Sequence, residues 1–387
     1  MLTSGKKSDI IIEAAFYLRD GGGTVSGFDG FLGNEELKAR LERDIAAGKL
    51  AHAYMIEGPE GSGKRTLARL IAAAAACRES DPPCMKCVSC DKIMREQSPD
   101  VITVGAEAGK VQLGVDVIRR LREDAVFAAN DLDTKTYIFP EADTMNVQAQ
   151  NALLKLLEEP PDGVRFLLLT TNSQGLLATI RSRAPLLRTE ALEDDVIADW
   201  LGRNDQNAMA LKRSDPQAFA VAVRLSSGSL GRAMALCDPE ESEECMRLWG
   251  CADKLIRLLA DRTAPGGDLR LREFASRLLS NIPQPKSKKG SKETSAKSSP
   301  AKQREELAAV YDLTSDAARD LIAVRLSENM RPLFFPDRSA AAQLADRFPM
   351  TLLTRLLDAA SSAVRGLSGN MNTGLVMSRF ALDISGK

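Results

Sequence analysis

Four of the seven cysteines lie within one short segment and have the spacing of a metal site. The segment reads C-x6-C-x2-C-x2-C, and its cysteines are Cys77, Cys84, Cys87 and Cys90. The two short spacings allow three thiolates to converge from one tight turn, and the longer spacing supplies the fourth corner of a tetrahedron. Because no secretory signal is apparent, we expect a metal site rather than disulfides. Four protein ligands leave no open position, so the pattern predicts structural zinc.

An iron–sulfur cluster is the main alternative for these cysteines. Cys84, Cys87 and Cys90 repeat the first part of a ferredoxin motif, but Met94 stands where that motif has its next cysteine. Four unrelated buried thiols are a further alternative. The remaining cysteines lie far along the chain at mostly helical-looking positions, and we interpret them as core thiols: Cys237, Cys245 and Cys251.

A glycine-rich segment matches the phosphate-binding pattern G-x-x-x-x-G-K. It follows the apolar run 53–56 and precedes a stretch with helical periodicity, 65–76. In such a loop, backbone N–H groups face a phosphate, the helix dipole adds to the attraction, and the lysine reaches the terminal phosphates. The predicted nucleotide-binding residues are Gly58, Pro59, Glu60, Gly61, Ser62, Gly63, Lys64, Arg65 and Thr66.

Both anchors that normally hold the magnesium ion of such a site are missing. The Ser or Thr that should follow the lysine is Arg65, and Thr66 is rotated by about 100° along the helix. Pro140 replaces the aspartate expected after an apolar strand, while Glu141 keeps the place of a water-activating carboxylate. We therefore predict weak ATP or ADP binding at most, a lost magnesium site and little ATPase activity. A further hypothesis is that Arg65 supplies positive charge where magnesium would lie.

Alternating short apolar runs and amphipathic stretches predict an α/β fold to position these residues. Predicted strands cover 53–56, 101–104, 137–139 and 166–170, and a predicted helix over 147–159 stops at two prolines. Beyond Leu192 the pattern predicts helices only. The segment 283–304 holds seven basic residues, one acidic residue and no large apolar side chain, which predicts a disordered insertion. It is either a solvated linker or a contact for DNA or an acidic partner.

Composition limits the class of protein. The net charge of −1 argues against a chain that coats nucleic acid by overall basicity. Hydrophobic residues at 44% and charged residues at 27% are typical of a soluble globular protein. No run approaches the about 20 apolar residues of a membrane helix. The sequence therefore predicts a cytoplasmic protein of two or three domains.

Several strings of residues, in this order, resemble the bacterial clamp-loader subunits of DNA polymerase III, which are members of the AAA+ superfamily. The similarity is dense over residues 29–190 and weak beyond. The strings are 31–35 (FLGNE), 50–54 (LAHAY), the phosphate loop, the four cysteines, 151–161 (NALLKLLEEPP) and 179–183 (TIRSR).

The resemblance implies an α/β AAA+ domain with a parallel sheet and an inserted zinc module, then an all-α lid domain and an all-α C-terminal collar domain. The implied segments are an N-terminal extension 1–28, the AAA+ domain 29–190 with the module 77–90, the lid 191–238, and an oligomerisation domain 239–387 interrupted by the insertion 283–304.

Two branches of the family are relevant, the ATP-hydrolysing gamma/tau subunits and the delta-prime subunits. Gamma/tau subunits keep an intact phosphate loop and an Asp-Glu pair, and this sequence departs from both, as delta-prime subunits do. Delta-prime subunits are implied to offer the arginine of a Ser-Arg-Cys motif to a neighbour's ATP site. Here the motif is Ser182-Arg183-Ala184, so Arg183 is the implied arginine finger. A plain surface arginine is the alternative reading of Arg183.

The resemblance implies a hetero-oligomer that loads the sliding clamp onto primed DNA. The implied partners are the gamma/tau subunit, the delta subunit, the sliding clamp and primer–template DNA. Three alternatives remain open from the sequence. They are an active gamma/tau-type ATPase, an unrelated iron–sulfur protein, and a stand-alone P-loop factor for DNA repair or helicase loading.

Overall fold

A computed structural model describes residues 27–106, 112–261, 267–281, 300–328 and 330–385. The chain divides into two compact units. The α/β unit holds the described residues up to Ile197 together with Gly228–Arg232. The helical unit holds Ala198–Ser227 and the described residues from Ala233 onward.

The α/β unit is built on one five-stranded parallel sheet with the strand order β2-β3-β4-β1-β5. The strands are β1 (Ala53–Glu57), β2 (Val101–Thr103), β3 (Lys135–Phe139), β4 (Val164–Thr170) and β5 (Leu186–Arg188). The central strands are buried on both faces, because helices cover the sheet from each side. This is why their sequences are apolar runs rather than alternating patterns.

Six helices connect or flank these strands. They are α1 (Glu35–Ala46), α2 (Lys64–Ala76), α3 (Val88–Met94), α4 (Val115–Asp124), α5 (Val147–Glu158) and α6 (Ala178–Arg181). One apolar core joins α4 and α5 to the sheet, and a second joins α1 and α2 to it. A third, smaller core joins α2 to the cysteine segment and α3.

The helical unit has a separate core. Its helices, counting two that begin in the α/β unit, are α7 (Asp194–Asn204), α8 (Gln206–Ser214), α9 (Pro216–Leu225), α10 (Leu230–Cys237), α11 (Pro239–Ala260), α12 (Gly267–Ser276), α13 (Leu278–Asn281), α14 (Pro300–Leu326), α15 (Arg338–Ala345), α16 (Met350–Ser368) and α17 (Thr373–Ser385). Among the described residues, no helix is long and apolar enough to cross a membrane.

The predicted α/β class with a parallel sheet and a helical C-terminal region is confirmed. The strand β5 was not predicted, because three residues between a proline and a threonine carry too short an apolar signal. Of the predicted disordered insertion, residues 283–299 lie outside the described residues, whereas 300–304 form the start of α14. Of the extension 1–28, only residues 27 and 28 are described. The domain boundaries implied by the resemblance stay predictions.

Candidate functional site

The phosphate loop joins the end of β1 to the start of α2, as its sequence predicts. Gly61 and Gly63 have φ values of 75° and 81°, in the left-handed region that favours glycine. Gly63 lies immediately before the first residue of α2, Lys64, and so directs the N-terminal amides of the helix toward the loop. The local geometry of an anion-binding loop is therefore present.

Two other segments pack closely against this loop. The Ser62 hydroxyl donates to Pro59 O at 2.8 Å and lies 2.7 Å from Thr189 Oγ1, which follows β5. A Cβ atom at Gly58 would overlap Thr189, and one at Gly61 would overlap the side chain of Ser229. The loop thus needs glycines for close approach as well as for backbone conformation.

The loop lysine is bonded to the loop itself. Lys64 Nζ donates to Gly58 O at 2.6 Å and to Pro59 O at 2.7 Å. Burial lowers the pKa of Lys64, although the charges of Glu60 and Asp143 oppose the shift. Two of the three donors of the Lys64 ammonium group are therefore used within the loop.

At the two positions where a magnesium anchor is expected, Arg65 and Pro140 offer no side-chain oxygen to a metal ion. Arg65 is exposed, and Thr66 is only 8% exposed on the inner side of α2. Pro140 and the exposed Glu141 follow β3. The sequence analysis missed Asp143, whose Oδ2 accepts from Thr171 Oγ1 at 3.3 Å beyond the end of β4. The sequence feature that could have pointed to Asp143 is its place as a second carboxylate after β3, two residues past Glu141.

The structure brings the four predicted metal ligands together. The Sγ atoms of Cys77, Cys84, Cys87 and Cys90 all lie within 4.8 Å of one another. Zinc–thiolate bonds of about 2.3 Å place tetrahedral sulfurs about 3.8 Å apart, so the group fits one tetrahedral ion. A cluster of several iron atoms would need to hold the sulfurs further apart. The donor set and spacing fit zinc.

Backbone amides stabilise negative charge on the sulfurs. The Sγ of Cys84 accepts from the amides of Lys86 and Cys87 at 3.5 Å and 3.3 Å, and the Sγ of Cys87 accepts from the amide of Cys90 at 3.4 Å. Burial raises the pKa of Cys84, but these amides outweigh it and lower that pKa to about 7. Burial raises the pKa values of Cys77 and Cys90. A bound cation would be needed to hold all four sulfurs as thiolates.

Ion pairs attach the cysteine segment to the rest of the α/β unit. Lys92 of α3 pairs with Asp131 at 2.8 Å, and Arg78 pairs with Asp133 at 2.5 Å. Both aspartates belong to the loop that leads into β3. The backbone amide of Gly27 also donates to Pro83 O at 3.0 Å. The cysteine segment is thus held to its surroundings on two sides.

Arg183 lies between α6 and β5 with a partly exposed side chain. Its Nη2 pairs with Glu158 Oε1 at 2.7 Å, and its Nη1 donates to Thr179 O at 2.9 Å and to Ser182 Oγ at 3.3 Å. None of these described partners belongs to the phosphate loop of the same chain. Ala184, where the family motif has cysteine, is fully buried in the core between α5, α6 and the sheet.

The remaining residues that the sequence analysis singled out have structural contacts. A ring nitrogen of His52, Nε2, lies 3.1 Å from Leu157 O. Cys237 and Cys251 are buried in the helical unit, and Cys245 is half-buried. Burial raises the pKa of Cys237 to about 12 and that of Cys251 to about 11, as for core thiols.

Known proteins resemble the chain over its first half. Residues 33–193 match a family model described as DNA polymerase III, delta subunit. The tau subunit of DNA polymerase III from Bacillus subtilis strain 168 is 31% identical over 214 residues, which are 54% of this chain and 37% of that protein. The gamma/tau subunit from Mycobacterium bovis is 34% identical over 210 residues, 54% of this chain and 36% of that protein. The chain therefore spans little more than a third of the length of these relatives.

Solved structures give weaker likenesses. A gamma subunit-related protein of DNA polymerase III from Thermotoga maritima has a TM-score of 0.44 and 18% identity, covering 90% of this chain and 98% of that one. A RuvB variant from the same organism has a TM-score of 0.39 and 17% identity, covering 67% and 88%. The family model and the curated relatives agree in their description. The chain is similar to subunits of DNA polymerase III, and the family model places that similarity over residues 33–193.

Proposed function

We propose that the chain is a delta-prime-type clamp-loader subunit, which helps load the sliding clamp onto primed DNA without hydrolysing ATP itself. The observation that carries the proposal is the loss of both magnesium anchors, with Arg65 after the loop lysine and Pro140 after β3. These two positions lie on separate elements, so one local change does not account for both. Without the hydroxyl directly after Lys64 and the carboxylate directly after β3, phosphoryl transfer would lose the two groups that normally hold the magnesium ion.

The bonding of Lys64 supports weak nucleotide binding at most. Its ammonium group already has two acceptors in the loop, Gly58 O and Pro59 O. A nucleotide would gain one hydrogen bond from the remaining ammonium donor, and any further bond from Lys64 only in exchange for one of these two. ATP or ADP binding at this site is therefore weak under the proposal, and it does not depend on magnesium.

The proposed catalytic contribution of the chain is Arg183, acting on the ATP site of a neighbouring gamma/tau subunit. A guanidinium group stabilises the charge that develops on a phosphoryl group in transfer. Arg183 is suited to this role because its side chain is partly exposed and its described partners are confined to its own turn and to α5. Ala184 is fully buried, so its replacement of the motif cysteine changes packing beneath the arginine rather than the exposed group.

The proposal places the chain in a cytoplasmic hetero-oligomer with the gamma/tau and delta subunits, acting on the sliding clamp and primer–template DNA. Residues 29–190 would form the AAA+ domain, 191–238 the lid, and 239–387 the oligomerisation domain. The names of the curated relatives, gamma and tau subunits of DNA polymerase III, support an assembly of this kind.

We assign the cysteine site to structural zinc, which would join α2 to α3 and hold the intervening loop. We expect purified protein to contain about one equivalent of zinc by elemental analysis and no visible absorption band. Cys90→Ser should lose most of the metal, whereas Cys245→Ser, outside the site, should keep it. Stoichiometric iron with a brown colour would contradict the assignment.

The test of the main proposal is ATP hydrolysis by a complex reconstituted with an active gamma/tau partner. We expect Arg183→Ala to lower turnover by about a hundredfold or more, since loss of an arginine finger removes several kcal/mol of transition-state stabilisation. We expect Lys64→Ala to leave turnover unchanged, because this chain's own site performs no hydrolysis. A loss of turnover in Lys64→Ala with none in Arg183→Ala would contradict the proposal.

An active gamma/tau-type ATPase is the second candidate. It is favoured by the 31% to 34% identity to tau and gamma/tau subunits, and by Asp143, a carboxylate near Lys64 that follows β3. Under this reading the isolated chain would hydrolyse ATP in a magnesium-dependent manner. Lys64→Ala would then abolish that activity.

A further inference from the structure

One helix, α5, holds the segment that carries Arg183 at two points. Near the start of α5, Gln150 accepts from the backbone amide of Leu177 at 2.8 Å and donates to Met145 O at 3.0 Å. The Gln150 side chain is only 3% exposed. At the last residue of α5, Glu158 pairs with Arg183.

The Gln150–Leu177 hydrogen bond and the Glu158–Arg183 ion pair differ in how readily another partner could replace one of their members. The Gln150 contact is buried and involves the backbone before α6, so it fixes the position of the whole turn. The Glu158–Arg183 pair joins two partly exposed side chains, with exposed fractions of 47% and 35%. Ion pairs of this kind contribute little stability and are open to competing anions. The backbone of the turn that carries Arg183 is therefore fixed, whereas the Arg183 guanidinium group can exchange Glu158 for another anion.

The chemistry of Glu158 resembles that of the ligand proposed for Arg183. A carboxylate oxygen at 2.7 Å accepts a charge-assisted hydrogen bond, and a phosphoryl oxygen would do the same. Glu158 also lies at the C-terminus of α5, where the helix dipole disfavours a negative charge that has no cation beside it. A phosphate and the Glu158 carboxylate would therefore compete for the Arg183 guanidinium group.

We propose that Glu158 is a positioning residue that acts as the intramolecular counter-ion of Arg183 and withholds it until a partner subunit's ATP phosphate takes the carboxylate's place. This inference rests on the proposed role of Arg183 in trans. The exchange breaks one charge-assisted hydrogen bond and forms another, and no covalent bond changes. Glu158 thereby lowers the contribution of Arg183 to hydrolysis in a complex that is not fully assembled around nucleotide.

The test is ATP hydrolysis by the reconstituted complex, with kcat and KM of the partner site measured separately at low and high salt. We expect Glu158→Gln to raise kcat/KM by at most about fivefold, which corresponds to the about 1 kcal/mol of an exposed ion pair. The rise should shrink at high salt, because exposed pairs are screened. Glutamine keeps the length of the side chain and an acceptor oxygen, so the fold should be unaffected.

Two controls separate this effect from a general change of charge. Glu159→Gln removes the same charge from the next residue, which is exposed and has no ion pair among the contacts described for the chain, and should leave kcat/KM unchanged. In the Arg183→Ala background, Glu158→Gln should have no effect. A rise in kcat/KM in either control would mean that the lost negative charge acts directly on the nucleotide. That result would overturn the proposal.

The remaining outcomes also decide the question. A fall in kcat/KM for Glu158→Gln would mean that the carboxylate holds Arg183 ready for use, and no change would mean that it exerts no control. Both results overturn this inference while a large effect of Arg183→Ala leaves the proposed function intact. If Arg183→Ala itself has no effect, the proposed function fails and this inference fails with it.

Discussion

Asp100 is a single buried carboxylate that organises a loop of the α/β unit. It is 0% exposed, and it accepts from the backbone amides of Asn130, Asp131 and Leu132 at 2.6, 2.7 and 2.9 Å. Asp131 and its neighbour Asp133 then pair with the cysteine segment. Asp100 therefore supports the candidate metal site through the loop.

We expect Asp100→Asn to lower the free energy of unfolding by about 3 kcal/mol, because the amide brings N–H donors against backbone donors and removes charge-assisted bonds. Urea denaturation would measure the loss. Asp116→Asn is the control, since Asp116 lies on the exposed face of α4 with a 73% exposed side chain. It should change stability by less than about 0.5 kcal/mol.

The comparison of wild type with Asp100→Asn also gives a prediction for how stability depends on pH. Burial raises the pKa of Asp100, but the three backbone amides outweigh it and lower that pKa below its ordinary value. Because the folded-state pKa is the lower one, the stabilisation is present above the unfolded pKa and is lost as pH falls through the folded value. The stability difference between wild type and Asp100→Asn should therefore shrink below about pH 4. A constant difference from pH 7 to pH 3 would contradict this.

At the scale of elements, a short segment that follows α9 packs against the phosphate loop. Residues 228–232 follow α9 and belong to the α/β unit, and Ser229 lies against Gly61. Gly228 begins this segment with a φ of 80°, and its carbonyl accepts from the amide of Leu192 at 3.0 Å. An added Cβ would lie 2.5 Å from the Cβ of Ala191 and 2.8 Å from Leu192 O.

We expect Gly228→Ala to lower the free energy of unfolding by about 3 kcal/mol, from backbone strain of about 1 kcal/mol plus the cost of the overlap. Gly48→Ala is a matched control. Gly48 has a similar φ of 64° but no atom within 4 Å of the added Cβ. Gly48→Ala should lower the free energy of unfolding by only about 1 kcal/mol. Equal losses in thermal or urea unfolding would show that the packing against 191–192 contributes nothing.

At the scale of the whole molecule, the predicted α/β class with a parallel sheet is confirmed, and the proposed activity depends on which parts of a nucleotide site the chain retains. The loop, its glycines and Lys64 are in place, while both magnesium positions are altered. The geometry of the loop is thus present although the two residues expected to anchor magnesium are absent. The helical unit has its own core, and its proposed role in assembly is separate from this chemistry.

We expect the isolated chain to bind ATP with a Kd that EDTA leaves unchanged, because no side chain at positions 65 or 140 holds magnesium. Calorimetric titration with and without EDTA measures this. Arg65→Thr restores the hydroxyl after the loop lysine, and it should introduce a measurable magnesium dependence. A wild-type affinity that falls more than about tenfold in EDTA would contradict the prediction.

Features with a local signature were predictable from the sequence. The buried strands were predicted from apolar runs, α5 from its periodicity and the two prolines that follow it, and the phosphate loop from its glycines and lysine. The four cysteines were predicted to converge because their short spacings restrict where the thiolates can point. Each of these signals lies within about 15 residues, the range over which periodicity and turn chemistry act.

Only the tertiary structure decided which distant residues share a site. Thr189 meets Ser62 across 127 positions, because β5 pairs with β1 although the chain visits three other strands between them. The contacts of Ser229 with Gly61 and of Glu158 with Arg183 also join separate elements. No local pattern encodes such contacts, since they depend on strand order and helix packing. The sequence by itself determined which chemical groups the protein has, and the fold determined which of them bond to one another.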